Sequence, residues 1–439
     1  MRSGHRFADR AAVGLFATLG LCAQSPPLAP DVLNLAHIRV HMAANLARQP
    51  NYTCVETIER FGRSRSSRKF ESIDTVKLEV ALVGDREMYA WPGAGKFEDT
   101  NIGRFVRDGA IGTGYFGMHE RSIFLSRAPE FSYKNETRLS GRRVLRYDYR
   151  IPLFLSDYHI KVGAREVVVG YHGSFWADAK TLDVLRLDVD ADDIPVSLGI
   201  LEADSRIDYA RLRIGAGDFL LPVSSDLTMS DLWGNASRNL MQFASCHEYT
   251  GESALLFTEP APAAAALALM TARPEIEVPA GQVVESELSR QIDSRTAAEG
   301  DPVHAVIARD VKRNGAIVIP KGADLTGRLI RLERMGEMFA VSIVFSDVEF
   351  PAGRDRFSAS LESLGAGARP GAAMIVESNG SRPWGTSAYR SLQPARSAPA
   401  PLPDTFYVAG GRVRLPRGFR MVWRTLPPTS QGHAKILPK

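Results

Sequence analysis

The sequence predicts a mostly β protein built from two successive antiparallel sheets, the first covered by a helix. Three observations predict it. One amphipathic helix stands near the start of the 439 residues, and from Asn51 onward the apolar period drops to two. A Pro- and Ala-rich segment then separates two stretches of alternation.

The helix is expected over Asp31 to Arg48. Val32, Leu35, Ile38, Met42 and Leu46 recur at spacings of three and four and form one apolar stripe. Asp31 after Pro30 is the expected N-cap, and Pro50 ends the helix by restricting Gln49. Val76, Leu78, Val80 and Leu82 then share one strand face, with Lys77 and Glu79 on the other. Arg165 to Asp178 reads as a strand rich in Val, Tyr, Phe and Trp. A turn at Ala179–Lys180–Thr181 leads to the alternation of Leu185, Leu187 and Val189 with charged residues. Gly215–Ala216–Gly217–Asp218 marks a hairpin, and Asn239 to Tyr249 and Ser253 to Thr258 supply later strands.

Residues 258–275 read as a linker, and a second meander begins at 276. Asn314–Gly315 between apolar runs is a strong hairpin signal, followed by Thr326 to Leu332 and Phe339 to Phe350. Residues 365–403 are dominated by Gly, Ala, Ser, Pro and Arg and are expected to be a disordered insert. Ordered pattern returns at 405–408 and 413–425, and 426–439 is expected to be a disordered tail. An open meander would leave two unpaired edges, so the returning strands are expected to close the second domain, 276–425, as a β-barrel.

Residues 1–23 read as a signal peptide. Arg2, Arg6 and Arg10 precede the apolar run Ala11 to Leu21, which is too short to span a bilayer, and Ala23 suits cleavage. Cys22 raises lipidation, but the bulky Leu21 precedes it where a small residue is wanted, so ordinary cleavage is expected. The chain is then periplasmic or secreted. Cleavage lowers the net charge from +4 to +2, with 51 basic against 49 acidic residues, which gives no case for nucleic acid. The basic run Arg60, Arg63, Arg65, Arg68 and Lys69 reads as a solvated hairpin tip, with an anionic-lipid patch as the alternative. Two cysteines remain, Cys54 and Cys246, and an oxidising compartment favours bridging them.

No spacing of catalytic residues emerges. There is no G-x-S-x-G, no H-E-x-x-H and no complete phosphate loop, since Gly93–Ala94–Gly95–Lys96 lacks the glycine spacing and the hydroxyl residue. His37 and His41 sit four apart but opposite the apolar stripe, so they are expected to face solvent. Asp188, Asp190 and Asp192 fall on one strand face without the glycine and distant Glu of a calcium loop, and read as a charged outer face. No enzyme, cofactor or metal is expected.

Residues 31–257 resemble the LolA/RseB class of periplasmic proteins through "NLARQPNYTCVETIERF", "GSFWADAKTLDVLRLDVD" and "DYARLRIGAGDFLLP". That resemblance implies a helix-wrapped curved antiparallel sheet with an apolar concavity, for which Leu35, Ile38, Met42 and Trp176 are the lining candidates. Residues 276–350 with 404–425 resemble the C-terminal β-barrel of TrbI-type conjugation proteins, most specifically in "IPKGADLTGR". There the barrel is a non-enzymatic assembly module; the anchor and the apolar helix of that family are missing here. The expected function is an exported, non-catalytic envelope protein that binds an apolar ligand, either a lipid or a hydrophobic protein segment. An envelope protein partner and peripheral membrane contact are the further partners implied. The alternative is a structural or assembly subunit using both domains for protein contacts.

The exported form should begin near Gln24. N-terminal sequencing that returned Met1, or mass spectrometry that found lipid on Cys22, would contradict this.

Overall fold

The computed structural model describes residues 28–427 apart from 85, 95–96, 98–101, 107–109, 163–164, 250–277, 352, 366–372, 378–379 and 385–403; for 373–377 and 380–384 it describes the backbone alone. The expected signal peptide, the linker, the strand at Ser253 to Thr258 and most of the tail lie outside the described residues.

Helix α1 spans Pro30–Arg48. Pro30 takes the first turn, where its missing N–H would have had no partner in any case. The helix therefore starts one residue earlier than Asp31 suggests. Ala29 holds the cap position without a side-chain bond, and Asp31 lies in the first turn, where a negative charge still favours the helix dipole. Gln49 is extended ahead of Pro50, as a residue before proline prefers. Ile38, Met42, Asn45 and Leu46 are buried and Leu35 packs against the same core, while Val32 is exposed.

The first sheet is antiparallel throughout. Its strands are β1 (Tyr52–Arg63), β2 (Glu71–Val83), β3 (Arg86–Ala90), β4 (Glu130–Leu139), β5 (Arg142–Ile151) and β6 (Tyr158–Val162). They continue as β7 (Arg165–Asp178), β8 (Val184–Asp192), β9 (Ile200–Ile214), β10 (Gly217–Asp231) and β11 (Ala236–Glu248). The order is β3-β2-β1-β11-β10-β9-β8-β7-β5-β4, with β6 paired to the N-terminal end of β7. First and last strands thus meet in mid-sheet, and Cys54 on β1 is bonded to Cys246 on β11 there, at a register irregularity between Thr53 and Val55. The bridge closes a separation of 192 residues, for which loop entropy gives an idealised gain of about 5 kcal/mol.

The alternation in β2 is realised in full: Val76, Leu78, Val80 and Leu82 are all buried. In β8 the phase differs from expectation. A bulge between Trp176 and Ala177 pairs Phe175 with Leu187 but Ala177 with Val184. The buried set is accordingly Val184, Leu187 and Val189, and Leu185 stands half-exposed.

The second sheet is also mostly antiparallel and curls into a half-barrel. Its order is Ala359–Leu364, Arg420–Thr425, Val283–Leu288, Pro302–Ile307, Asp324–Met335, Met338–Phe350, Thr405–Ala409, Ala373–Glu377 and Gly380–Trp384, with Gly353–Arg356 beside Met338–Phe350. Among the described residues this order has two ends, so the closed barrel expected from the sequence is replaced by an open curl. Asn314 and Gly315, both at positive φ, turn a small side hairpin. A backbone hairpin occupies 373–384, its first arm parallel to Thr405–Ala409, where a disordered insert was expected. The core of this sheet is built on Val284, Leu325, Val341, Phe406, Leu415 and Trp423.

The sheets meet along β2. Strand β3 pairs only with residues 79–83, which leaves Thr75 to Lys77 an open edge. Glu299 fills it: its N–H donates to Thr75 O (2.8 Å), and Lys77 N–H donates to Glu299 O (2.7 Å). Lys77 Nζ also reaches Asp301 Oδ1 at 2.9 Å. Beside this contact lies the buried ion pair Arg60–Asp74, and burial next to Asp74 raises the Glu299 carboxyl well above the usual carboxylate range.

Residues 405–425 supply strands that sit inside the second sheet, not at its rim. Ending the chain at Leu364 should abolish its cooperative unfolding, whereas replacing 367–402 by a short Gly–Ser linker should retain it. Calorimetry showing equal cooperativity in the two variants would contradict this placement.

Candidate functional site: the interior of the first sheet

The concave face of the first sheet carries the inward residues of every strand, including Tyr52 and Ile58 on β1, Tyr147 and Tyr149 on β5, Tyr171 and Phe175 on β7, and Tyr209 on β9. Besides the turn Ile102–Arg104, whose Ile102 reaches the same core with Val106, two non-strand elements cover it among the described residues. One is α1, whose Asn45 clips it to β10 by donating to Leu220 O (2.9 Å) and accepting from Leu220 N–H (2.8 Å).

The other cover is the segment 110–126. It contains the short helix α2 (Met118–Glu120) and a π-helical turn, Arg121–Leu125. It lies on the sheet without joining it. The Glu87 carboxylate accepts from Gly114 N–H (2.8 Å), Phe116 N–H (2.9 Å) and the Tyr89 hydroxyl (2.7 Å). Asn239 Nδ2 donates to Ala110 O (2.6 Å), and Arg39 on α1 donates to Phe124 O (2.8 Å) and Ser126 O (2.7 Å). Tyr115, Phe116, Ile123 and Phe124 point inward, with Phe116 edge-on to Phe243 at 4.7 Å and Phe124 edge-on to Phe175 at 5.1 Å. Gly114 and Gly117 have φ of +86° and +127°, which admits the tight path ahead of α2.

This interior is filled, and it is more polar than a packing core requires. Glu56, His119 and Glu120 are buried in it. Tyr52 Oη is buried without a hydrogen-bond partner among the described residues, and Tyr209 with Glu120, Tyr171 with Ser122 and Ser225 with Tyr115 interact only at poor hydrogen-bond geometry. Burial pushes the Glu56 carboxyl up to about 8, with the Glu87 charge adding to it. Burial likewise lifts Glu120 to about 7 and lowers His119 to about 4. At neutral pH Glu56 is therefore mostly protonated, Glu120 about half so, and the His119 imidazole neutral. Apolar aromatic walls with a few convergent polar groups are the composition of a small-molecule site. A hydrolytic dyad is not assembled: among the described residues no Ser, Thr or Cys hydrogen-bonds to His119, whose ring neighbours are Tyr115, Tyr158 and Tyr171 at 5.6–6.4 Å.

Of the residues singled out in the sequence, Leu35, Ile38 and Met42 lie on this interior. Trp176 does not share their side. Phe175 and Ala177 are buried inward, so Trp176 projects from the outer face, where the Arg146 guanidinium lies 5.5 Å from its ring. His37 and His41 are exposed. Asp188 pairs with Arg206 (3.0 Å) and Asp192 with His172 (2.9 Å), as a charged outer face requires. A polar groove of about 640 Å³ crosses that face over Gly173, between Arg146, Asp148, His172 and Asp192. Its charges are largely matched to one another, Arg146 with Asp148 at 3.3 Å and Arg150 with Asp192 at 3.6 Å.

Sequence reasoning missed the polar interior. Glu56 was legible, since it is in phase with Tyr52, Cys54 and Ile58. His119 and Glu120 carry no such signal, because their segment is neither helical nor alternating over a useful length.

No protein-family model matches the sequence, and no curated protein does. About half of the chain is similar to solved structures of bacterial proteins. A domain from Vibrio parahaemolyticus assigned as an outer membrane lipoprotein-sorting protein covers 52% of this chain and 95% of its own, at 10% identity and a TM-score of 0.29. A LolA superfamily protein from Nitrosomonas europaea covers 51% and 97%, at 8% identity and 0.26. The Mycobacterium tuberculosis lipoprotein LppX covers 50% and 98%, at 8% identity and 0.21. Likeness at this level carries no functional argument, and none of these similarities supports the expected TrbI-type identity of the second domain.

The interior carboxyls have a consequence for stability. Their folded pKa values lie above the unfolded ones, so their contribution is full below about pH 4.5 and is lost as pH rises through about 7 and 8. His119 acts oppositely, and its effect is confined to pH below its unfolded value of about 6.5. Between pH 6.5 and 8.5 the protein should therefore lose about 2 kcal/mol that Glu56→Gln with Glu120→Gln does not lose. Equal pH dependence of the two melting curves would contradict the buried, protonated assignment.

Proposed function

We propose that this chain is an exported, non-catalytic envelope protein whose first sheet binds an apolar ligand, an acyl chain or a hydrophobic protein segment, in the interior beneath residues 110–126. One observation carries the reading. The concave face is closed by a segment that shares no strand pairing with the sheet and is held by a handful of side-chain hydrogen bonds and by the burial of Tyr115, Phe116, Ile123 and Phe124. Such a cover can be displaced without breaking the sheet, and its removal would uncover aromatic walls with hydroxyl and carboxyl groups to meet a polar headgroup. The disulfide supports an oxidising compartment. In this reading residues 31–257 form the binding domain, lined in part by Leu35, Ile38 and Met42, and 276–425 a second module that docks to an envelope partner.

A second reading has its own support. The interior is occupied by the chain's own side chains, and large apolar residues are exposed elsewhere on the first domain. Both suit an assembly subunit that uses its surface for protein contacts.

Glu87→Ala separates the two. It leaves the N–H groups of Gly114 and Phe116 without their acceptor and loosens the cover, a cost of about 1–3 kcal/mol. The carrier reading expects lipid on the native protein by mass spectrometry, and binding of a fluorescent fatty acid that strengthens roughly tenfold in Glu87→Ala. No bound lipid and no probe binding in either form would leave the assembly reading standing alone.

A further inference from the structure

The two ends of the first sheet differ in kind. Its antiparallel order places the β1–β2 tip (residues 64–70), the 152–157 and 193–199 connections and the 232–235 turn at one end. The turns at 84, 140–141, 179–183 and 215–216 lie at the other. At the first end Phe154 is 83% exposed, Val196 75% and Trp233 66%, and Leu153, Leu155, Leu201 and Leu232 are exposed beside them. None of the exposed large apolar side chains among the described residues lies on the turns of the opposite end.

The basic run sits at the same end, but only Arg65, Arg68 and Lys69 are exposed there; Arg60, expected at the solvated tip, is buried against Asp74. Arg65 N–H donates to Asn235 Oδ1 at 3.2 Å, which brings the hairpin tip against the turn that carries Trp233. The Trp233 ring in turn lies over Gly199, where an added Cβ would stand 3.2 Å from it, next to the exposed Val196. Arg65, Arg68 and Lys69 are exposed, and no carboxylate pairs with them among the described residues, whereas Arg186, Arg206, Arg211 and Arg238 on the sheet surface each hold an aspartate. Of the nearby acids, Asp231 is spent on the N–H groups of Trp233 and Asn235, Glu202 accepts from Ser230, and Asp192 holds His172. Asp157, on the same connection as Phe154, accepts from the Ser122 hydroxyl at 2.6 Å, Arg165 donates to Ser197 O at 2.7 Å, and Glu71 and Asp193 also lie at this end.

We propose that this end of the first sheet is a membrane-contact surface that inserts Phe154 and Trp233 into an anionic bilayer interface, with Arg65, Arg68 and Lys69 against the headgroups. Apolar side chains exposed on separate loop tips, with a basic cluster beside them, match an anionic lipid interface. Tryptophan favours the headgroup level, where its ring is apolar and its N–H stays wet. Insertion together with a basic cluster provides the two signals that durable peripheral attachment needs. The surface is distinct from the covered interior, so the proposal stands whether or not that interior takes a ligand.

Vesicle flotation of the full exported chain tests this. The chain should float with phosphatidylglycerol/phosphatidylethanolamine vesicles and far less with phosphatidylcholine alone. Phe154→Ser with Trp233→Ser should abolish flotation. Arg65→Glu with Arg68→Glu should weaken it about tenfold or more, as should raising salt from ~0.1 to ~0.5 M. Lys180→Glu, on an exposed turn at the opposite end, should leave it unchanged. All these side chains are exposed, and melting curves confirm that the variants fold. Flotation of the Phe154/Trp233 variant at wild-type level overturns the proposal, as does failure of the wild type to float with anionic vesicles. A wild-type dimer that this variant turns into a monomer, without any flotation, would assign the surface to a second copy of the chain and also overturn it.

Discussion

A wide antiparallel sheet has two faces, and here only one can be left to water. The outer face is tiled by cross-strand ion pairs such as Arg186–Asp208, Arg206–Asp188 and Arg238–Asp226. The concave face is lined by Tyr, Phe, Val and Ile and must be covered. Among the described residues no second sheet packs on it. One helix and one irregular segment do the covering, and the position of each follows from this need. Asn45 pins the helix to the backbone of β10, and Glu87 pins the segment to the edge of the sheet. The disulfide holds β1 to β11 where the two ends of the domain's chain meet, which keeps the curved sheet from parting along its middle.

An irregular cover has a price in polar groups. Strands satisfy their own backbone; a segment such as 110–126 must find partners for its N–H groups, and a buried or half-buried carboxylate is an efficient acceptor. Glu87 meets that need. Glu56 and Glu120 do not take this role; burial keeps Glu56 largely protonated at neutral pH and Glu120 about half so. Buried carboxyls among tyrosines whose hydroxyls are poorly hydrogen-bonded are costly for packing alone. The arrangement is more easily understood in a domain whose interior is opened and refilled. At the junction between the sheets polarity has a different use. The buried Arg60–Asp74 pair and the Glu299 backbone occupy an edge that β3 leaves open, so the second sheet also protects the first from edge pairing.

Much of this architecture is legible in the residues. The period-two run Val76 to Leu82 marks both strand and buried face, and the Asn314–Gly315 hairpin falls where the dipeptide places it. The limits of legibility are physical. A bulge near Trp176 shifts the phase of β8, so Leu185 leaves the core although its alternation with Arg186 looks regular. Phe175 and Trp176 are adjacent aromatics, and a strand buries only one of them. His172 and Ser174 share the Trp176 face, and this was the available sign that it points outward. Asp31 resembles a cap, yet Pro30 begins the helix because proline is favoured at that first position. The covering segment was invisible because its order comes from distant partners, Glu87, Asn239 and Arg39, not from a local period.

The central claim is that residues 110–126 are a displaceable cover over a binding interior. Hydrogen–deuterium exchange of the purified chain, with and without a bound fatty acid, tests it most directly. The account predicts that ligand speeds exchange at Gly114 and Phe116, whose N–H groups Glu87 holds, while β1 and β11 stay protected by their ladder and disulfide. Unchanged or slower exchange at those two amides, with ligand demonstrably bound, would contradict it.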